Sequence, residues 1–372
     1  MGTILLSTRR LLIGLASIYC IGVVAMAILW AVRPQPVWWL ALTNVFALYL
    51  FTPLLFLAPA ALLLRSRWLR ASVVVALVTF LALFGARLAP PTGRPGPGVP
   101  LRVVTLNQLY SNQRVDDLIT ALQAQGADVI AIQELSTAVA AAAQQRLSAE
   151  YPYQVLAPAE GDYGLGLLSR YPLQAPTRTQ GFLGQQVLVT VGAQQVTLIN
   201  LHLTAPSIAA RRLRPFRPVK VIREYDTSRR ASEFAALLRT IDAVKGPLVV
   251  LGDFNTSDRE PPYGELAARL HDAYGEAGWG FGFTFPNDQH LAYLDVPFPL
   301  VRIDYVWSSA GIVPVAARVE CASGGSDHCM VIADLRVGAQ DRQAQQAAGV
   351  VPGTSVLQAL RPRNLRGGDA PW

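Results

Sequence analysis

The sequence predicts an α/β domain, two packed β-sheets flanked by helices, preceded by three transmembrane helices. Three observations predict it. Long apolar runs fill the first hundred residues. Short strand and helix patterns alternate from there to about residue 337. Most of the apolar strands in that stretch end in an acid, an amide or a histidine. At 372 residues the chain is long enough for one large domain and something more.

The first hundred residues hold no Asp or Glu and eight Arg, in a chain with 32 basic and 25 acidic residues. The remainder therefore carries 24 basic against 25 acidic residues, and the net charge of +7 belongs to the N-terminal segment. The high isoelectric point is thus no argument for nucleic-acid binding by the rest. Leu11 to Val32 is an apolar run of 22 residues, Val37 to Leu64 one of 28 that opens with Trp38 and Trp39, and Ala71 to Ala89 one of 19. Each can cross about 30 Å of hydrocarbon at ~1.5 Å per residue. The Trp pair fits an interfacial belt. The first run is too long for the core of a signal peptide, and two more follow it.

Arg9 and Arg10 precede the first run, and Arg65, Arg67 and Arg70 lie between the second and third, whereas Arg33 and Arg94 stand alone. The richer set is expected in the cytoplasm. This predicts a multi-pass protein of the cell membrane, with its N-terminus cytoplasmic and everything after residue 90 extracytoplasmic. If the third run does not cross, the large domain faces the cytosol instead.

After a membrane domain over residues 1–90, the Pro- and Gly-dense stretch 91–100 reads as a linker, since that composition stops helices and resists strands. The globular domain covers 101–337. Strands are expected at 102–106, 128–133, 164–169, 186–191, 195–203, 248–252, 302–307 and 329–337, and helices at 115–125, 136–149 and 228–244. Residues 338–372, rich in Gln, Gly, Pro and Arg, read as a mostly disordered tail. Cys321 and Cys329 bracket Ser326-Asp327-His328. They either form a disulfide closing that loop or stay as two small core residues; their spacing leaves both open.

Eight segments carry the chemistry: Thr105-Leu106-Asn107, Ile132-Gln133-Glu134, Gly164 to Arg170, Asn200-Leu201-His202-Leu203, Gly252-Asp253-Phe254-Asn255, Thr284-Phe285-Pro286, Arg302-Ile303-Asp304-Tyr305 and Ser326-Asp327-His328. A buried strand that ends in an acid or amide points it at the rim of its sheet. Several such rims together suit a hard divalent cation and a phosphate ester. Glu134 ends a buried strand, where an unpaired carboxylate is costly, which makes it the leading metal candidate. Asp253 and Asn255, two apart at a strand end, project to one side. The carboxylate can orient or deprotonate water and the amide can donate to a phosphate oxygen. Tight-turn chemistry is the competing reading of those two residues.

In this order the segments resemble the endonuclease/exonuclease/phosphatase superfamily, over roughly residues 101–337. Gly-Asp-Phe-Asn after an apolar strand and a later Ser-Asp-His are jointly specific. With three spans in front, the chain is similar to the membrane-anchored bacterial members, including the VanJ-type teicoplanin-resistance proteins. The resemblance implies a four-layer α/β sandwich and Mg²⁺-dependent cleavage of a phosphoester or phosphoanhydride bond, with Mn²⁺ as an alternative ion. It implies Glu134 as the principal metal ligand, with Asn107 and Asp327 contributing. It implies Asp304 as the partner of His328, and His202 as a contact to the phosphoryl oxygen or the leaving group. Glu160 and Asp162 are the acids that could orient His202. Gly164, Gly166, Ser169 and Arg170 are expected to be structural, and Thr284-Phe285-Pro286 to pack. His271 and His290 match no such position and are expected on surfaces or loops.

The substrate is expected to be phosphate-containing, and lipid-linked rather than nucleic acid. The domain is tethered just above a bilayer, its expected partner. A basic stretch, Arg211, Arg212, Arg214, Arg217, Lys220, Arg223, Arg229 and Arg230, follows His202. Its prolines mark it as a loop; such clusters suit anionic headgroups, and a solvated run of charge is the competing reading. The VanJ-like resemblance favours undecaprenyl pyrophosphate. A membrane-anchored nuclease is the second reading. A binding protein with a dead site is a third, disfavoured because the expected polar residues are all present. No protein partner is implied.

Overall fold

The computed structural model describes residues 2–32, 37–91, 97–212, 220–287, 289–291, 294–296 and 298–338. The predicted tail and the centre of the predicted linker lie outside these residues.

The N-terminal segment forms α1 (Gly2–Val32), α2 (Trp38–Val45), α3 (Leu54–Leu63) and α4 (Arg67–Leu88), with a 3-10 turn at Ala47–Phe51. Two helices, α1 from Ser7 and α4, are long and apolar enough to cross a membrane. The middle run, expected as one span, is broken. α2 meets Ala47–Leu63 at 76°, so there is a third span only if the bent pair counts as one. Next to the break, Asn44 turns its amide aside to donate to the Arg259 carbonyl at 2.6 Å. Arg9 donates to the Leu64 carbonyl at 2.5 Å and Trp30 to Thr43 Oγ1 at 3.3 Å, so α1 runs antiparallel to the bent segment. Arg70 donates to the Ala61 carbonyl at 3.2 Å and Phe51 meets Phe80 and Phe84, so α4 is antiparallel to it as well. α1 and α4 therefore point the same way.

The globular part has strands β1 (Val99–Asn107), β2 (Val129–Gln133), β3 (Tyr153–Ala157), β4 (Leu165–Ser169), β5 (Leu173–Arg178), β6 (Leu183–Val191), β7 (Gln194–His202), β8 (Ser207–Arg212), β9 (Lys220–Asp226), β10 (Leu248–Asp253), β11 (His271–Asp272), β12 (Gln289–Leu291), β13 (Leu294–Val296), β14 (Asp304–Ser308), β15 (Ile312–Glu320) and β16 (Met330–Val337). Its helices are α5 (Val115–Gln123), α6 (Thr137–Leu147), α7 (Ser228–Ala243), α8 (Pro261–Ala267) and α9 (Ala273–Ala277). Two six-stranded sheets form, ordered β15-β16-β1-β2-β4-β3 and β11-β14-β10-β7-β6-β5.

Side chains alternate across each strand, and this builds the layers. Val103, Val129, Val196 and Val249 meet between the sheets. Their neighbours Val104 and Ile130 turn outward onto α5 and α6, and Ile199 and Val250 onto α7 and α8. Full burial of each such side chain contributes roughly 1.5–3 kcal/mol. The result is the four-layer α/β sandwich.

The strands ending in polar residues lie where expected. β3, β5 and β15 were not expected. β5 and much of β15 are exposed or half-buried, so no apolar run marks them. The basic stretch expected as a loop forms the arms of a hairpin, β8 with β9. Its centre, residues 213–219, lies outside the described residues. Arg230 leaves that surface altogether. It is buried in α7 against Glu260 at 2.5 Å, which also accepts from Tyr225 at 3.1 Å.

Candidate active site

Strand register assembles the site. In the second sheet Asp253 lies opposite His202 on one side and opposite Asp304 on the other, so three neighbouring strand ends place their side chains together. Gly252 makes the approach possible: it has φ +144°, and a Cβ there would stand 2.0 Å from the Leu201 carbonyl oxygen. In the first sheet Asn107 lies opposite Gln133, and Glu134 follows at once. Glu134 and Asn255 both hold left-handed backbone, at φ +55° and +49°. That costs an ordinary L-residue about 1–2 kcal/mol, and such strain gathers at functional sites.

Asn107 joins the sheets. Its Nδ2 donates to Glu134 Oε1 at 2.9 Å and to Asp253 Oδ2 at 3.1 Å, while its Oδ1 accepts from the Leu109 N–H at 3.1 Å. Glu134 Oε2 accepts from the Tyr110 N–H at 2.9 Å. Behind them runs a buried polar bridge: Gln133 Nε2 donates to Asn200 Oδ1 at 2.7 Å, and Asn200 Nδ2 to the Gly166 carbonyl at 3.0 Å.

Both histidines aim Nε2 at Asp253. His328 Nδ1 bonds Asp304 Oδ2 at 2.9 Å, leaving Nε2 3.8 Å from Asp253 Oδ2. His202 Nε2 lies 3.6 Å from the same oxygen and 3.9 Å from Glu134 Oε1. Its Nδ1 is held by the backbone carbonyl of Asp162 at 3.0 Å. A carbonyl only accepts, so Nδ1 carries the proton. The orienting group is therefore neither the Asp162 nor the Glu160 carboxylate.

Asn255 is used differently from the expectation. Its Nδ2 donates to the Leu203 carbonyl at 2.8 Å and to Asp253 Oδ2 at 3.3 Å, and its N–H donates to Asp253 Oδ1 at 2.8 Å. Its donors orient Asp253 rather than face an open site.

The charges explain one another. Burial, then the nearby Asp304, pushes Asp253 up to about 6, against the pull of both histidines and Asn107. Burial pulls His328 down, but Asp304 and Asp253 outweigh it and the group is pushed up to about 10. Burial raises Asp327, with Glu134 adding to the effect and His328 opposing. Asp304 Oδ1 is buried with no hydrogen-bond partner. Four carboxyl groups around two histidines, one of them orphaned, fit a divalent cation. Two donor sets are at hand: Glu134 with Asn107 and Asp327, and the trio Asp253, Asp304 and His328, whose ligand atoms lie within 4.8 Å of one another.

Sequence reasoning did not single out the supports. Ser326 Oγ receives the His328 N–H at 2.9 Å. Thr284 Oγ1 accepts from the N–H groups of Ile303 and Asp304 at 3.2 and 3.3 Å, and the Phe285 ring lies 4.8 Å from the His328 ring. Asn287 Nδ2 holds the Ser326 loop through Ser323 Oγ at 2.9 Å and the Cys321 carbonyl at 2.8 Å. Thr284 and Ser326 lay inside motifs already marked; the Asp162 carbonyl had no side-chain signal to find. Cys321 and Cys329 are joined in a disulfide that closes this loop. His271 bonds Glu276 at 2.8 Å away from the site, and the side chain of His290 lies outside those described.

A model of the Endonuclease/Exonuclease/phosphatase family matches residues 104–328, which include every strand end just described. The chain belongs to this family, whose members are metal-dependent phosphoesterases or nucleases; it is a metal-dependent hydrolase of phosphoester bonds. Among solved structures, D. rerio TDP2 complexed with single-strand DNA product is 15% identical at TM-score 0.51, covering 64% of this chain and 99% of that one. A humanized D. rerio TDP2 is 16% identical at TM-score 0.50, with the same coverage. An endonuclease/exonuclease/phosphatase from Beutenbergia cavernae is 18% identical at TM-score 0.44, covering 64% and 72%. At these identities the first two are likenesses of fold. No curated protein matches the chain.

Proposed function

We propose that the protein is a Mg²⁺-dependent phosphohydrolase acting on a phosphate ester or pyrophosphate carried at a membrane, a phospholipid or undecaprenyl pyrophosphate. The observation that carries the chemistry is the convergence on Asp253 of both histidine Nε2 atoms and of the Asn107 amide, which also holds Glu134. Glu134, Asn107 and Asp327 would hold the ion. Bound there, Mg²⁺ would supply charge neutralisation at phosphorus.

Asp253, near 6, is matched to accept a proton from water at neutral pH. His328, protonated and anchored by Asp304, presents Nε2 as a donor to a phosphoryl oxygen. His202, fixed by the Asp162 carbonyl, stands beside it as a second contact to the phosphoryl group or leaving oxygen. Asn107 holds Glu134 and Asp253 at their spacing, and Asn255 fixes the face of Asp253.

The membrane substrate is supported by the docking of the N-terminal helices on the loops that leave the catalytic strands. Asn44 holds the Arg259 carbonyl, Tyr49 donates to the Leu300 carbonyl at 2.8 Å, and Arg87 pairs with Asp258 at 3.2 Å. The resemblance to the membrane-anchored VanJ-type proteins favours the pyrophosphate. An extracytoplasmic site is supported by the arginines near Arg9 and Leu64, which share the end away from the globular part, and by a disulfide of the kind that persists in oxidising compartments.

Full-length protein with Mg²⁺ should release phosphate from a polyprenyl pyrophosphate or cleave a phospholipid, and EDTA should abolish this. Nicking of plasmid DNA with no turnover of either lipid would sink the proposal in favour of a membrane-anchored nuclease. That second reading draws on exposed Arg211 and Arg223 of the hairpin and on a fold shared with a DNA-bound structure. A C-terminal reporter fusion tests sidedness.

A further inference from the structure

A cavity of about 410 Å³ lies where the membrane helices meet the globular domain, and no residue assigned to hydrolysis lines it. One wall is apolar, with Leu48 after α2, Phe84 of α4 and Phe281 after α9. The other wall is charged. Arg302 is buried and paired with Asp272 at 2.8 Å and Asp258 at 3.4 Å, and Arg87 shares Asp258 at 3.2 Å. Glu276, also on the wall, is bonded to His271. Two guanidinium groups thus share two carboxylates.

The cation left over is Arg259. Among the described residues its guanidinium has no carboxylate partner, and its Nε is buried with no hydrogen-bond partner. It lies 5.3 Å over the Phe84 ring, facing the cavity it lines. Burial holds it below the ordinary arginine range, with Asp258 opposing. A largely buried cation with no carboxylate paired to it is costly, and an anion in the cavity would complete it.

We propose that this cavity binds the phosphate headgroup of an anionic phospholipid, apart from the hydrolytic centre, with Arg259 as the anion contact and the apolar wall taking the first part of the acyl chains. The choice of a lipid over a free anion rests on Phe84 and Leu48, which belong to the apolar N-terminal segment and bring hydrocarbon to within one cavity of the guanidinium. The inference rests on the membrane reading of α4 but not on the identity of the hydrolysed substrate. Its consequence would be lipid-dependent turnover. Arg259 follows Asn255 by four residues, and Leu300 to Arg302, which also line the cavity, run straight into Asp304. A bound lipid would brace both loops.

The test uses full-length protein in a neutral detergent, with Tm followed as phosphatidylglycerol, phosphatidylcholine or inorganic phosphate is added. Phosphatidylglycerol is expected to raise Tm saturably and the other two to leave it unchanged. Arg259→Gln should weaken that response by about tenfold or more, the loss of one charge-assisted contact. An equal response to inorganic phosphate, or an undiminished one in Arg259→Gln, overturns the proposal. If Arg259→Gln does not fold, Phe281→Ala serves: it trims the apolar wall and should also weaken the lipid effect, and an unchanged affinity overturns the proposal. The response should survive in Glu134→Ala. Its loss there would mean that lipid binds at the hydrolytic centre instead, which separates this inference from the proposed reaction.

Discussion

The two sheets repeat one plan and carry different chemistry. Each has a parallel central pair, β1 with β2 and β10 with β7. Each pair is flanked by two antiparallel strands on either side, β16 and β15 or β14 and β11 on one, β4 and β3 or β6 and β5 on the other. At or beside equivalent strand ends stand Asn107 and Asp253, Glu134 and His202, His328 and Asp304. No sequence repeat announces the correspondence. On the proposed reading the first sheet would supply the metal donors and the second the proton- and phosphate-handling groups, apart from the Asp304–His328 pair, which spans both. A shared backbone plan fixes where six side chains meet; their identity decides what each half does.

The largest effects should come from separating the halves. Glu134→Ala and Asp253→Asn should each cut turnover by roughly 1000-fold or more, the scale for a member of a catalytic unit. Calorimetry should tell them apart: Mg²⁺ binding is lost in Glu134→Ala and weakened by about 10–100-fold, the cost of a group that supports a ligand, in Asp253→Asn. Equal losses of affinity would erase the division of labour. Next comes Asp304→Asn, expected to cost on the order of 100-fold in turnover and to bring the His328 titration down from about 10. An imidazole NMR titration that does not move would remove Asp304 from the pair.

A smaller effect concerns pH. His328 is raised from 6.5 to about 10, so the stability it contributes is full below pH 6.5 and is lost as pH rises through about 10. Thermal unfolding in EDTA should show a decline across that window that His328→Asn lacks. Smallest is Asn200→Leu, which cuts the buried bridge between the sheets and strands Gln133. It should cost about 1–3 kcal/mol while leaving activity per folded molecule near normal. A loss of turnover without loss of stability would instead place Asn200 in the chemistry.

Much of the site was legible because a buried strand is almost wholly apolar, so Glu134, Asp253 and His202 stand out where such runs stop. β3, β5 and β15 were not, since half-exposed strands show no continuous run. The bend at 76° was hidden because 28 apolar residues look alike straight or folded. Nor could sequence place Arg230, whose neighbours advertise a solvated surface while its own side chain is buried on Glu260.

By itself the sequence determined composition-level facts: an acid-free apolar N-terminal segment, a near-neutral α/β domain behind it, and the order of polar residues at strand ends. These follow from local period and from the cost of burying charge, both readable over a few residues. Only the tertiary structure decided the partners. The Asp162 carbonyl fixes His202, Asn107 bridges two carboxylates from different sheets, and Arg259 is left with no carboxylate paired to it among the described residues. Such pairings join positions tens to hundreds of residues apart, and their energies depend on distances that no local pattern encodes.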